Sequence, residues 1–101
     1  MEHLPAGFMI IEYEVTDPAG YQEYLKASAA VRASGLGGTF LVRGAPGIGL
    51  SGPAPKTIAI IQFPSVADAI AFDASPEYSA LKANRDRSIQ WRSFVVEGVP
   101  G

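Results

Sequence analysis

Cysteine is absent from the 101 residues. That excludes disulfides, thiolate nucleophiles, iron–sulfur clusters and cysteine-type zinc sites. Histidine occurs once, as His3. One histidine and no cysteine leave too few ligands for a transition-metal or haem site. A Ser-His-Asp set would have to take its base from the N-terminal arm. No basic run is present and the formal net charge is −2, which argues against nucleic acid and anionic membrane surfaces as partners. No apolar stretch approaches the ~20 residues of a membrane span. The first residues carry neither a basic nor an apolar leader segment, and the expectation is a cytoplasmic protein without metal or organic cofactor.

What is present is apolar. Hydrophobic residues make up 48% of the chain, enough for one packed domain over residues 1–101. The stretch Thr57–Tyr78 organises the rest. Ile58, Ala59, Ile60 and Ile61 are apolar on both faces of a strand, as expected where both sides of a sheet are covered. Pro64 ends that strand. Ser65 with Asp68 forms a capping box that opens a helix burying Val66, Ala69 and Ile70. Ser75-Pro76 repeats the start signal, so the helix breaks and resumes with Tyr78, Leu81, Arg85 and Ser88 on one stripe.

Upstream, residues 1–6 read as an arm. Phe8 to Val15 alternates as a strand, with Met9, Ile11, Tyr13 and Val15 on one face and Phe8, Ile10, Glu12 and Glu14 on the other. Asp17-Pro18 suits a helix start whose Asp17 side chain accepts a backbone N–H. Tyr21, Tyr24, Leu25, Ser28 and Val31 then follow at helical spacing, and Gly35 is the stop. Thr39 to Arg43 is a second strand. Residues 44–56, with Pro46, Pro53 and Pro55, read as a loop. Trp91 to Glu97 is the last strand.

The order is βαββαβ. Right-handed crossovers place both helical segments on one side of a four-stranded antiparallel sheet, an α+β ferredoxin-like arrangement with the first and third strands central. Phe8, Ile10, Ile58 and Ile60 are then left bare on the far side. A second copy of the chain, docked sheet to sheet, would cover them.

Several segments resemble a family of bacterial proteins known as domain of unknown function 1330, within the dimeric α/β-barrel superfamily. They are Val15-Thr16-Asp17-Pro18 with Tyr21 and Tyr24, Gly38 to Gly44, Phe63-Pro64-Ser65, Ser75-Pro76-Glu77-Tyr78, Arg85, and Val95-Val96-Glu97-Gly98. The resemblance implies the same fold and a homodimer, and no defined reaction. Superfamily relatives include cofactor-free monooxygenases and isomerases. By that analogy, a pocket between sheet and helices would take a small aromatic or carbonyl compound.

Gly47-Ile48-Gly49-Leu50-Ser51-Gly52 spells a dinucleotide fingerprint but precedes a strand instead of a helix, so it reads as a flexible loop. Glu12, Glu14 and Glu97 could form a carboxylate-only cation site or be solvated acids at strand ends. Glu12 and Arg43 form the leading polar pair. In one reading they bond within or across subunits and fix a dimer. In the other, Glu12 is a proton acceptor and Arg43 holds an anionic oxygen. Tyr24, Tyr78 and Trp91 are candidate pocket walls. Arg85 could cap a carbonyl, pair with Asp73 or Glu77, or bind a ligand carboxylate.

Overall fold

A computed structural model describes residues 4–100. The elements are β1 (Gly7–Val15), α1 (Pro18–Val31), β2 (Thr39–Ala45), β3 (Thr57–Phe63), α2 (Val66–Ala74), α3 (Pro76–Ser79), α4 (Lys82–Ser88) and β4 (Ile89–Glu97). The sheet order is β2-β3-β1-β4, with every neighbouring pair antiparallel. This is the expected ferredoxin-like α+β arrangement, with the first and third strands inside. Among the described residues no helix is long and apolar enough to cross a membrane.

Alternation along β1 and β3 sets the core. Met9 and Ile11 lie opposite Ile61 and Ala59 on the helix side, and Phe63, Tyr24, Ala69, Phe72, Tyr78 and Ile89 join them in one buried cluster. Ile70 does not. It is 56% exposed, because α2 turns Ala69 and Phe72, three positions apart, onto the sheet and leaves the next residue about 100° away.

The helix boundaries follow local chemistry. The Ser65 hydroxyl oxygen accepts from the Asp68 N–H at 3.1 Å and its O–H donates to the Asp68 carboxylate at 3.0 Å. The Ser75 hydroxyl accepts from the Tyr78 N–H at 3.2 Å, restarting the helix after the break. Asp17 occupies the N-cap of α1, but its side chain makes no capping bond. The Ser88 carbonyl instead accepts from the backbone N–H groups of Thr16 and Asp17, at 2.8 and 3.0 Å, which ties the start of α1 to the end of α4. Beyond Val31 the helix widens into a π turn, Arg32–Leu36. Gly35 ends it at φ 95, a left-handed conformation for which glycine carries no steric penalty.

β2 runs two residues further than its sequence pattern indicates, and β4 starts two earlier. β2 also carries two irregularities. Thr39, Phe40, Val42, Arg43 and Ala45 pair with β3, while Leu41 and Gly44 are extra residues. Such bulges re-aim the side chains around them.

The far face of the sheet has no helix. There Phe8 lies opposite Val96, and Ile10 opposite both Phe94 and Ile60. Phe94 and Val96 are 38% and 42% exposed. The molecule is a slab only 16 Å thick along its shortest axis, with a radius of gyration of 14.2 Å, against about 13 Å for a compact chain of this length.

Candidate functional site

Between the helices and the core face of the sheet lies a cavity of about 410 Å³. Met9, Ile11, Ala59 and Ile61 form its floor. α1 contributes Tyr21, Tyr24, Leu25 and Ser28, since residues at spacings of three and four share a helix face. The same stripe continues one turn further into Arg32. Phe72, Tyr78 and Trp91 close the remaining sides.

The aromatic groups brace one another. Tyr13 lies 5.8 Å from Trp91 and 6.2 Å from Tyr21, ring centre to ring centre. Tyr24 meets Trp91 edge-on at 5.8 Å. The hydroxyls of Tyr24 and Tyr78 are hydrogen-bonded at 2.7 Å, and Arg85 Nη1 donates to the Tyr78 oxygen at 3.2 Å. Burial, reinforced by Tyr78, pushes the Tyr24 phenol well above the usual tyrosine range. Burial and the bond with Tyr21 do the same for Tyr13. Both are therefore neutral hydroxyls at physiological pH.

Cations supply the other polar groups. The Arg43 and Arg32 guanidinium carbons lie 4.4 and 4.9 Å from the centre of the Phe40 ring. Arg32 Nη1 donates to the Ser28 hydroxyl at 3.1 Å, and Ser28 donates to the Leu25 carbonyl at 3.2 Å. Burial, and then repulsion from Arg43, lowers the Arg32 pKa below its ordinary value. Among the described residues no carboxylate lines the cavity.

Of the residues singled out in the sequence, Arg43, Tyr24, Tyr78 and Trp91 come together here. Arg85 stands behind them. Its guanidinium lies 4.8 Å from the Trp91 ring centre, and it pairs with Asp86 at 3.1 Å instead of Asp73 or Glu77. Asp73 is taken by Lys82 at 3.1 Å. Burial disfavours the Arg85 charge, but the bonds to Tyr78 and Asp86 outweigh it and raise its pKa.

Glu12 is not part of this site. Strand alternation turns it to the opposite face of the sheet, where its carboxylate lies 3.8 Å from Arg92 Nε. Within one chain Glu12 and Arg43 are therefore not partners. Glu14 bonds Lys56 at 2.8 Å, and Glu97 sits at the other end of β1, opposite Gly7. Among the described residues no three His, Cys, Asp or Glu side chains are placed to hold a metal ion. His3 lies outside the described residues. The glycine-rich loop leads into β3 and not into a helix, which leaves its G-x-G-x-x-G without phosphate-binding geometry.

Arg32 and Phe40 also line the cavity, beyond the residues to which the sequence points. Arg32 could have been found, since it stands four residues after Ser28 on the tyrosine stripe. Phe40 could not, because only the bulge at Leu41 brings Arg43 to the same side of the sheet as its ring.

A family model described as Domain of unknown function (DUF1330) matches residues 6–99. No curated protein matches the chain in sequence. Among solved structures, a protein of unknown function from Rhodopseudomonas palustris is similar at TM-score 0.70 and 19% identity, over 99% of this chain and 87% of that one. A dimeric ferredoxin-like protein of unknown function from Thermobifida fusca follows at 0.64 and 11%, over 96% and 94%. SnoaB, a cofactor-independent oxygenase from Streptomyces nogalater, is similar at 0.64 and 12%, over 96% of each chain. At these identities the likeness establishes the fold alone.

Proposed function

The chain belongs to the DUF1330 family, and from that premise we propose that it binds a small aromatic or carbonyl compound in the cavity between its sheet and helices, as a homodimer joined through the bare sheet faces. The observation that carries the first part is the cavity itself. It is about 410 Å³, at the small end of the ligand-pocket range of roughly 300–1,000 Å³, with mostly apolar walls and a few convergent donors. The second part rests on the helix-free apolar strip in which Phe94 and Val96 are exposed and Ile10, Ile58 and Ile60 half-buried, a contiguous apolar face of the kind that marks an interaction surface. The neighbour from Thermobifida fusca is described as dimeric. Glu12 and Arg92 would belong to that interface.

The test is a thermal-shift screen on the wild type and on Ala59→Met, which fills the cavity floor. Binding compounds raise the melting temperature of the wild type and leave the variant unmoved. A panel that stabilises neither protein, or both equally, removes the assignment.

A catalytic reading has one specific support. Arg43 and the neutral Tyr24 hydroxyl are donors that could hold the oxygen of an enolate formed from a bound carbonyl compound, the carbon-bound proton passing to water. Its check is deuterium exchange at the central carbon of a bound 1,3-dicarbonyl compound. Exchange no faster than in buffer leaves the binding role alone.

A further inference from the structure

Arg32 and Arg43 lean on one ring, that of Phe40, with guanidinium carbons 4.9 and 4.4 Å from its centre. Lys56, Lys82, Arg85 and Arg92 each have a carboxylate within 4.0 Å. Among the described residues Lys26, Arg32, Arg43 and Arg87 have none, and of these Arg32 and Arg43 line the cavity. There burial first, and the nearby charge of Arg43 second, already disfavour the charge of Arg32. Two like charges beside a partly dry cavity raise the electrostatic energy unless an anion joins them.

Resting on the ligand-pocket reading above, we propose that the natural ligand is a small planar organic anion, an aromatic or enolic carboxylate, whose carboxylate lies between Arg32 and Arg43. Both guanidinium carbons lie over the Phe40 ring, and among the described residues only Arg32 Nη1 is engaged, by Ser28, which leaves the other N–H groups for a carboxylate. Ser28 holds Arg32 in place at 3.1 Å, so part of its ordering cost is met before the ligand arrives. The ring of the ligand then lies toward Trp91 and Tyr24. Both arginines line the helix-side cavity, on the opposite side of the sheet from the bare apolar face.

The experiment is calorimetric titration with matched planar pairs: benzoate and benzamide, salicylate and salicylamide, cinnamate and cinnamamide. For the pair that fits, the carboxylate binds wild type on the order of tenfold more tightly than its amide, as a charge-assisted fork does. Added salt weakens the carboxylate and not the amide. In R32Q/R43Q the preference disappears while the amide still binds. Arg43 is exposed, and a circular dichroism spectrum confirms that the variant folds. The salt dependence of the wild type supplies the same answer without any variant. Amides that bind as well as carboxylates overturn the anion inference and leave the ligand pocket standing. If no member of any pair binds at millimolar concentration, both fall together.

Discussion

Arg43 and Phe40 stand three positions apart on β2, yet the guanidinium lies 4.4 Å from the centre of the ring. In an unbroken strand an odd separation sends two side chains to opposite faces. Here Leu41 is an extra residue, so Phe40 pairs with Ile61 and Arg43 with Ala59, and both partners are buried core residues. The bulge thus delivers an aromatic platform and a cation to the same side of the sheet. Bulges are common beside binding sites for this reason.

The second irregularity, at Gly44, predicts a stability cost. Gly44 has φ 69, and a Cβ there would come 2.7 Å from the Tyr13 hydroxyl. Gly44→Ala should destabilise the protein by about 1–3 kcal/mol, read from urea unfolding. A variant as stable as wild type would mean that the turn relaxes without loss.

The tyrosine pair predicts an order of effects. Tyr78→Phe removes the partner of both Tyr24 and Arg85. Tyr24→Phe leaves Tyr78 still bonded to Arg85. Each net hydrogen bond contributes roughly 0.5–1.5 kcal/mol, so Tyr78→Phe should cost more, by about one such bond. Equal unfolding free energies for the two variants would show that the Arg85 contact contributes nothing.

Alkaline pH supplies a further check. Burial raises the folded-state pKa of Tyr13 and Tyr24 above the ordinary value of 10.0. A raised folded pKa gives stability that is complete below the unfolded pKa and is lost as pH climbs through the folded one. These two phenols should therefore leave stability level from pH 7 to 9 and lower it progressively above pH 10. Tyrosinate absorbance for both should emerge only with unfolding, and the Tyr24→Phe variant should show a shallower alkaline decline. Ionisation of Tyr24 in the folded protein near pH 10 would contradict the enclosed geometry.

The bare face predicts an oligomer. By sedimentation equilibrium the wild type should run at about twice the 10.6 kDa chain mass, and Phe94→Asp should shift it to the monomer while keeping its fold, since a buried unpaired carboxylate is strongly disfavoured. A wild type that is monomeric at micromolar concentration would contradict the sheet-to-sheet arrangement.

Elements and their ends were legible wherever one residue dictates local geometry. Pro64, Ser65, Ser75 and Gly35 each act within a turn of themselves, and each stands where the sequence placed it. The period-2 pattern of Met9 and Ile11 was equally plain, because β1 is regular. The site was only half legible. Tyr24, Tyr78, Trp91 and Arg43 were visible as residue types, but the pairing of Glu12 with Arg43 ignored the face each takes. Glu12 follows the alternation of β1 away from the cavity, and a bulge that no composition announces brings Arg43 into it. Ile70 was misplaced for a similar reason: which arc of α2 meets the sheet is settled by Phe72 packing on Phe63 at 5.6 Å, a tertiary contact.

Trp91 is the sole tryptophan, and it lines the cavity. Trp91 also borders a second cavity, beside Glu14, Lys56 and Arg92, so R32Q/R43Q is the control that assigns an emission change to the site between sheet and helices. Titrating the preferred planar carboxylate should change that emission along a saturable curve in wild type, and in R32Q/R43Q the curve should move to about tenfold higher concentration, the level of the amide. A change that grows linearly with concentration, identical in both proteins, would show that nothing binds beside Trp91.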